Sequence, residues 1–153
     1  MYSYLNKETF DAVITSSEIK DKNFIPVDEN ILPAISMLNK KGYITTDCCE
    51  GHYENLLSTS ILKQLRQHKE MTYEEWQYPY IAFAEGIVIP DEIEMPFYWR
   101  KYTTTMYTNH KPVLETRKCI MRANYLEEFA DENNFYFCKC DILKSLFEWV
   151  EKL

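Results

Sequence analysis

The stretch VDENILPAISMLNKKGYITTDCCEGH, residues 27–52, constrains this chain more than any other. It reads as a helix handed directly to a strand and then to a tight turn. Asp28 is placed to cap a helix N-terminus, Glu29 suits its positive end, and Pro33 falls near enough the first turn to be tolerated. Ile31, Ile35 and Leu38, with Leu32 beside them, form an apolar stripe at helical spacing. Lys40 and Lys41 complement the negative end, and Gly42 can take the left-handed conformation that closes a helix. Tyr43 then folds back and leads into YITTDCC, whose β-branched and aromatic residues favour a strand.

The other elements are expected to pack around this unit. Residues 7–20 read as a helix with Phe10, Val13, Ile14 and Ile19 on its apolar side. FIPV reads as extended, because Pro26 biases Ile25 away from helical geometry. Residues 54–78 read as a helical excursion or flap over the turn, with a capping box at Thr72 and Glu75. Strand signals follow in PYIAFAEGIVIP, PFYWRKYTTTMY and VLETRKCIMRA, the last two joined around TNHKP. Asn124 with Glu127 starts a further helix through about Glu132, FYFCKC reads as a last strand, and Asp141 caps a terminal helix. Ile142, Leu143, Leu146, Phe147 and Val150 form that helix's packing face. There is no regular βαβ rhythm. The expected fold is therefore one α+β domain over residues 1–153, with a mixed or largely antiparallel sheet and helices packed on it.

The chain has 153 residues, 46% of them hydrophobic, which suffices for a sizeable core. A net charge of −7 argues against a basic nucleic-acid-binding module and gives no DNA signal. No apolar run is long enough to span a bilayer, since Glu85 breaks YIAFAEGIVI. MYSYLNKETF lacks the basic-then-apolar pattern of a secretion signal, and 5 cysteines is an odd number, so reduced thiols and a cytoplasmic location are expected.

Chemistry concentrates at Cys48-Cys49-Glu50-Gly51-His52. Gly51 allows a sharp bend, and consecutive amides there can form an anion-binding nest. A cysteine activated by His52 could act as a thiolate. Strand alternation places Cys48 and Cys49 on opposite faces, so only one is expected to face the core. Cys49, Glu50, Gly51 and His52 are the ligand-binding candidates; a buried cysteine followed by a plain turn is the alternative. For a metal, Cys49, His52, Cys138 and Cys140 have suitable donors, although CKC is tighter than a structural zinc knuckle. His110 reads as a turn residue, and Asp91, Glu92 and Glu94 as a solvated loop. Lys63, Arg66, Lys69, Arg100, Lys101, Arg117 and Lys118, near Trp76, Tyr98, Trp99 and Tyr102, are the material for a nucleic-acid face.

Residues 26–52 resemble a pattern found in small bacterial and phage proteins of uncharacterised role. More remotely, they resemble the tRNA wybutosine-synthesising methyltransferase family. The matching residues are Val27-Asp28-Glu29, Leu38-Asn39, Tyr43, Thr45-Thr46 and the turn, where Cys49 and Gly51 coincide with the family's Ser-Cys-Ser-Gly-Arg. The resemblance covers about a fifth of the chain. It implies an α+β fold with a large mixed sheet, a site at the turn, S-adenosylmethionine as methyl donor and a modified tRNA guanosine as substrate. Here His52 stands where the family has Arg, and Cys48 and Glu50 replace its serines. An imidazole cannot reproduce a guanidinium's bidentate grip on phosphate. Two functions are thus expected as alternatives: a small-molecule or RNA site at the turn, or a non-catalytic scaffold that binds a protein partner.

Overall fold

The structure, a computed structural model, describes residues 2–13, 19, 23–52, 78–108, 111–123 and 132–153. Its elements are β1 (Tyr2–Asn6), β2 (Asp11–Val13), β3 (Phe24–Asp28), α1 (Leu32–Lys40), β4 (Thr45–Cys49), β5 (Tyr80–Phe83), β6 (Trp99–Thr108), β7 (Lys111–Ala123) and α2 (Glu132–Lys152). The architecture is α+β, as expected. The strands form two sheets rather than one, ordered β2-β1-β3 and β4-β5-β7-β6. Among the described residues every pairing is antiparallel. A cluster of buried side chains joins these two sheets with α1 and α2: Leu5, Val27, Ile35, Leu38, Ile81, Phe83, Met121, Ile142 and Leu146 are among its members. Among the described residues no helix is long and apolar enough to cross a membrane.

The handover from α1 to β4 follows the sequence closely. Ile31, Leu32, Ile35 and Leu38 are buried. Gly42 has φ +93°, and the Gly42 and Tyr43 amides donate back to Asn39 and Leu38 carbonyls at 3.0 and 2.9 Å, closing the helix. Asn39, fully buried, bridges helix and strand. Its Nδ2 donates to Ile35 O at 2.8 Å and Thr45 Oγ1 at 2.9 Å, while its Oδ1 accepts from Thr45 N at 3.1 Å and Lys7 Nζ at 3.2 Å. All its polar capacity is used inside the protein, which is what makes a buried amide tolerable.

Three expectations are corrected. The helix expected over 7–20 is, over 7–13, a turn and strand β2 instead; residues 14–18 and 20 lie outside the described residues. Phe10, at φ +56°, closes that turn, and Lys7 leaves the surface to bond Asn39 and the Thr45 carbonyl. Asp28 does not cap α1. The helix starts later, its N-cap is Ile31 without a side-chain bond, and its first turn carries no acid, Glu29 included. FYFCKC is not a strand but part of α2, so Asp141 is interior to the helix. Lys139 shares the stripe of Ile142, Leu146 and Val150, three and four residues apart, and all four are buried. Pairing tertiary contacts with this stripe overrides the local β preference of the aromatics.

The two long strands β6 and β7 pair as expected, while PYIAFAEGIVIP is a strand only over Tyr80–Phe83. Gly86, at φ +81°, turns the chain after β5. The excursion at 54–78 lies outside the described residues apart from residue 78, and so do His110 and the helix expected from Asn124 as far as residue 131. The Asn39 network yields a prediction: Asn39→Leu removes the acceptor for the buried Thr45 amide and destabilises the fold by about 2–3 kcal/mol, measured as a lowered urea midpoint with unchanged slope.

Candidate functional site

A β-bulge decides which cysteine packs against the core. In the β4–β5 pairing, Thr45 faces Phe83 and Asp47 faces Ala82, so Thr46 is an extra residue. The insertion flips the alternation of everything after it. Thr45 is buried opposite Phe83, and Cys48, opposite the buried Ile81, packs against the core. Cys49, opposite Tyr80, is thereby turned to the other face. Burial, helped by Asp47 and Asp28, pushes the Cys48 thiol up to about 12, so it stays protonated and inert.

Beyond Cys49 the chain bends at Gly51, φ +89°, and the Gly51 amide donates to Cys49 Sγ at 3.4 Å. Asp28, buried at the end of β3, holds the bend. One carboxylate oxygen accepts the Glu50 amide at 3.0 Å and lies 3.1 Å from His52 Nε2. The three side chains Asp28, Cys49 and His52 converge, with one donor atom from each within 4.8 Å of the others. Asp28 is almost covered, whereas the His52 side chain is 44% exposed, so the cluster is reached from solvent through the imidazole.

The pair's charges support each other. Burial works against Asp28's charged form, but the bonds from His52, the Glu50 amide and Cys49 outweigh it and hold the carboxyl below its usual range. The hydrogen bond to Asp28, and then that to Cys49, raises His52 to about 10 against the opposing effect of burial. Its contribution to stability is therefore full below the ordinary imidazole value of 6.5 and is lost as pH rises through about 10. Asp28's contribution is present above 3.8 and is lost as pH falls through its depressed value.

Glu50, the third residue of the turn, points elsewhere. Its Oε2 meets Lys139 Nζ of α2 at 2.6 Å and Asn30 Nδ2 at 2.6 Å, with both charged side chains 7% exposed. Lys139 also stands over the Tyr136 ring at 5.4 Å. Glu50 thus ties the turn to α2. A cleft between α1 and α2 touches this network at Asn30 but has none of Asp28, Cys49 or His52 in its walls.

Cys49, Gly51 and His52 are therefore brought together, and Glu50 is set behind them. Cys138 and Cys140 do not join the cluster. Two residues apart on a helix, they diverge, Cys138 half-buried and Cys140 exposed. Asp28, Asn30 and Lys139 were not singled out as site residues; Asp28 sits within the resembling segment, but its local signal was that of a helix cap. The nucleic-acid face also loses members. Trp99 is buried with its indole N–H on Ile142 O at 3.2 Å, and Lys101 is held by Asp91 Oδ1 and Ile89 O, each at 2.7 Å. Lys63, Arg66, Lys69 and Trp76 lie outside the described residues.

Comparison with protein-family models, curated proteins and solved structures finds no match to this chain. The chemistry of the cluster is therefore the guide. A thiol, an imidazole and a carboxylate at one bend can supply a nucleophile with a proton acceptor, or three donors for one cation.

Two predictions arise here. In chelator-treated protein, NMR titration of the His52 ring gives a midpoint well above 6.5, and Asp28→Asn returns it towards that value. Lys139→Met strands the Glu50 carboxylate and lowers stability by about 3–5 kcal/mol, much of it recovered in the double variant with Glu50→Gln, as read by urea unfolding.

Proposed function

We propose that this chain binds a small polar ligand at the bend formed by Cys49, Gly51 and His52 and braced by Asp28. The observation that carries the reading is the convergence of Asp28, Cys49 and His52 donor atoms on a solvent-reachable spot. Buried polar groups normally satisfy one another and face inwards, as Asn39 does. This cluster instead leaves a half-exposed imidazole and a half-buried thiol at the surface.

The resemblance to the wybutosine-synthesising methyltransferases suggests S-adenosylmethionine, or a guanosine-type nucleoside, as the ligand class. A small molecule is favoured over a long RNA. Net charge is −7, and Lys101 is already engaged with Asp91. A second reading, a protein-binding scaffold, is motivated by the exposed aromatics Phe97 at 66% and Phe137 at 73%. It predicts no heat with small ligands and an interface that Phe137→Ser weakens.

Calorimetry with S-adenosylmethionine, its demethylated product and guanosine tests the first reading. The expected result is saturable heat with at least one of them, reduced tenfold or more in affinity by His52→Ala. Silence with all three, at concentrations well above micromolar and on folded protein, removes the small-ligand claim for this class.

A further inference from the structure

We propose that Asp28, Cys49 and His52 are three ligands of a single zinc ion. The inference deepens the small-ligand reading, because it gives that site a resident cation, and it rests on geometry of its own.

The first argument is the shape of the cluster. In a cysteine–histidine–acid relay the imidazole stands between its partners, with thiol and carboxylate on opposite ring nitrogens. Here one donor atom from each residue lies within 4.8 Å of both others, which is a triangle and not a line. Donors of a tetrahedral zinc site, with metal bonds of about 2.0–2.3 Å, lie roughly 3.3–3.6 Å apart. The Asp28 to His52 separation is 3.1 Å and the other two are within 4.8 Å, so the Cys49 sulfur need close on its partners by no more than about 1.5 Å to reach that spacing.

The second argument is the donor set. One thiolate, one imidazole and one carboxylate match the borderline-soft preference of zinc and are poor for calcium or magnesium, which seek oxygen alone. On binding, zinc displaces the thiol proton of Cys49 and the ring proton from the coordinating nitrogen of His52 to solvent, with no redox change. The third argument is support behind the ligands. The Glu50 amide fixes the Asp28 carboxylate at 3.0 Å, and the Gly51 amide, at 3.4 Å, is a donor to the Cys49 sulfur. Outer contacts of this kind orient ligands and preserve their charge. The bulge at Thr46 turns Cys49 to this spot and leaves Cys48 in the core.

Among the described residues the cluster has three members, so a fourth ligand comes from outside this set, and a donor atom of the bound small molecule fits that place. Zinc with three protein ligands is the arrangement that leaves room for a substrate or a water.

The test uses the full chain, stripped with a chelator and titrated with zinc against a chromophoric competitor, then with cobalt. One ion per chain is expected, with a thiolate-to-cobalt charge-transfer band. Cys49→Ser, His52→Gln and Asp28→Asn each weaken zinc by more than about 100-fold, and Cys49→Ser abolishes the band. Cys48→Ala and Cys140→Ser leave both unchanged. Added zinc raises the wild-type melting temperature and not that of the ligand variants, which separates lost binding from lost folding. Zinc affinity unaffected by Cys49→Ser, a cobalt spectrum without a thiolate band, or no ion held at micromolar concentration overturns the proposal. In that event, nucleoside or S-adenosylmethionine heat that still depends on His52 leaves the small-ligand reading standing. Zinc binding without any such heat removes that reading and keeps the metal.

Discussion

Asp28 is a carboxylate at the buried end of a strand, and burial makes an unpaired charge there untenable. Its partners are not local. They are the Glu50 amide and the His52 ring, more than twenty residues further along the chain, beyond α1 and β4. Since β3 belongs to the three-stranded sheet and β4 to the four-stranded one, this carboxylate ties the two sheets together. The turn after β4 is consequently held in place by an electrostatic requirement, and Gly51 supplies the backbone angle that lets it comply. A second buried acid lies immediately beside it. Glu50 meets its own requirement through Lys139, which anchors the same turn to α2. Asp28 and Glu50 thus tie the same turn to β3 and to α2.

The adjacent cysteines divide their roles because of one extra residue. Without the bulge, Cys49 would share a face with Thr45 and lie towards the core, and Cys48 would face out. With Thr46 inserted, Cys48 is the packing residue and Cys49 the presented one. Bulges recur beside functional sites because they re-aim a side chain without breaking the sheet. The cost is small, a locally disturbed ladder on a short strand.

Much of this fold was legible in the sequence, and the failures have definite causes. The α1–Gly42–β4 handover was readable because the apolar periodicity, the basic last turn and a closing glycine all agreed, and at this end of the helix the structure realises that agreement, although the expected N-terminal cap at Asp28 does not form. The opposite faces of Cys48 and Cys49 were readable from strand alternation, but which cysteine faced the core depended on the bulge, and no residue type announces a bulge at Thr46. FYFCKC misled because aromatic residues favour strands locally, whereas the buried pairing of Lys139 with Glu50 and the Ile142 stripe reward a helix. Residues 7–13 misled for the converse reason. Phe10 and Val13 have helical spacing, yet residues 11–13 pair with β1 and Lys7 reaches the Asn39 network, long-range contacts that local spacing does not announce. Asp28 looked like a helix cap and instead bonds the Glu50 amide and the His52 ring, beside Cys49. An aspartate capping a helix and one bridging two sheets share the same local sequence, and only the return of the chain at Glu50 and His52 separates them.

If the proposed site is occupied, binding and folding share a residue. Asp28 bridges β3 to the turn after β4 and also lies beside Cys49 and His52, so a ligand on the proposed site would act on the join between the two sheets. A cation at the cluster would take over part of the imidazole's role in balancing the carboxylate and would free His52 from serving only as counter-charge. Stability and occupancy would then rise together, since an ion that binds the folded state alone stabilises it by mass action. A surface turn carrying the same three side chains without a structural acid would lack that coupling. The placement of Asp28 at the end of β3, bonded to the turn after β4, is what would couple occupancy of the cluster to the join between the two sheets.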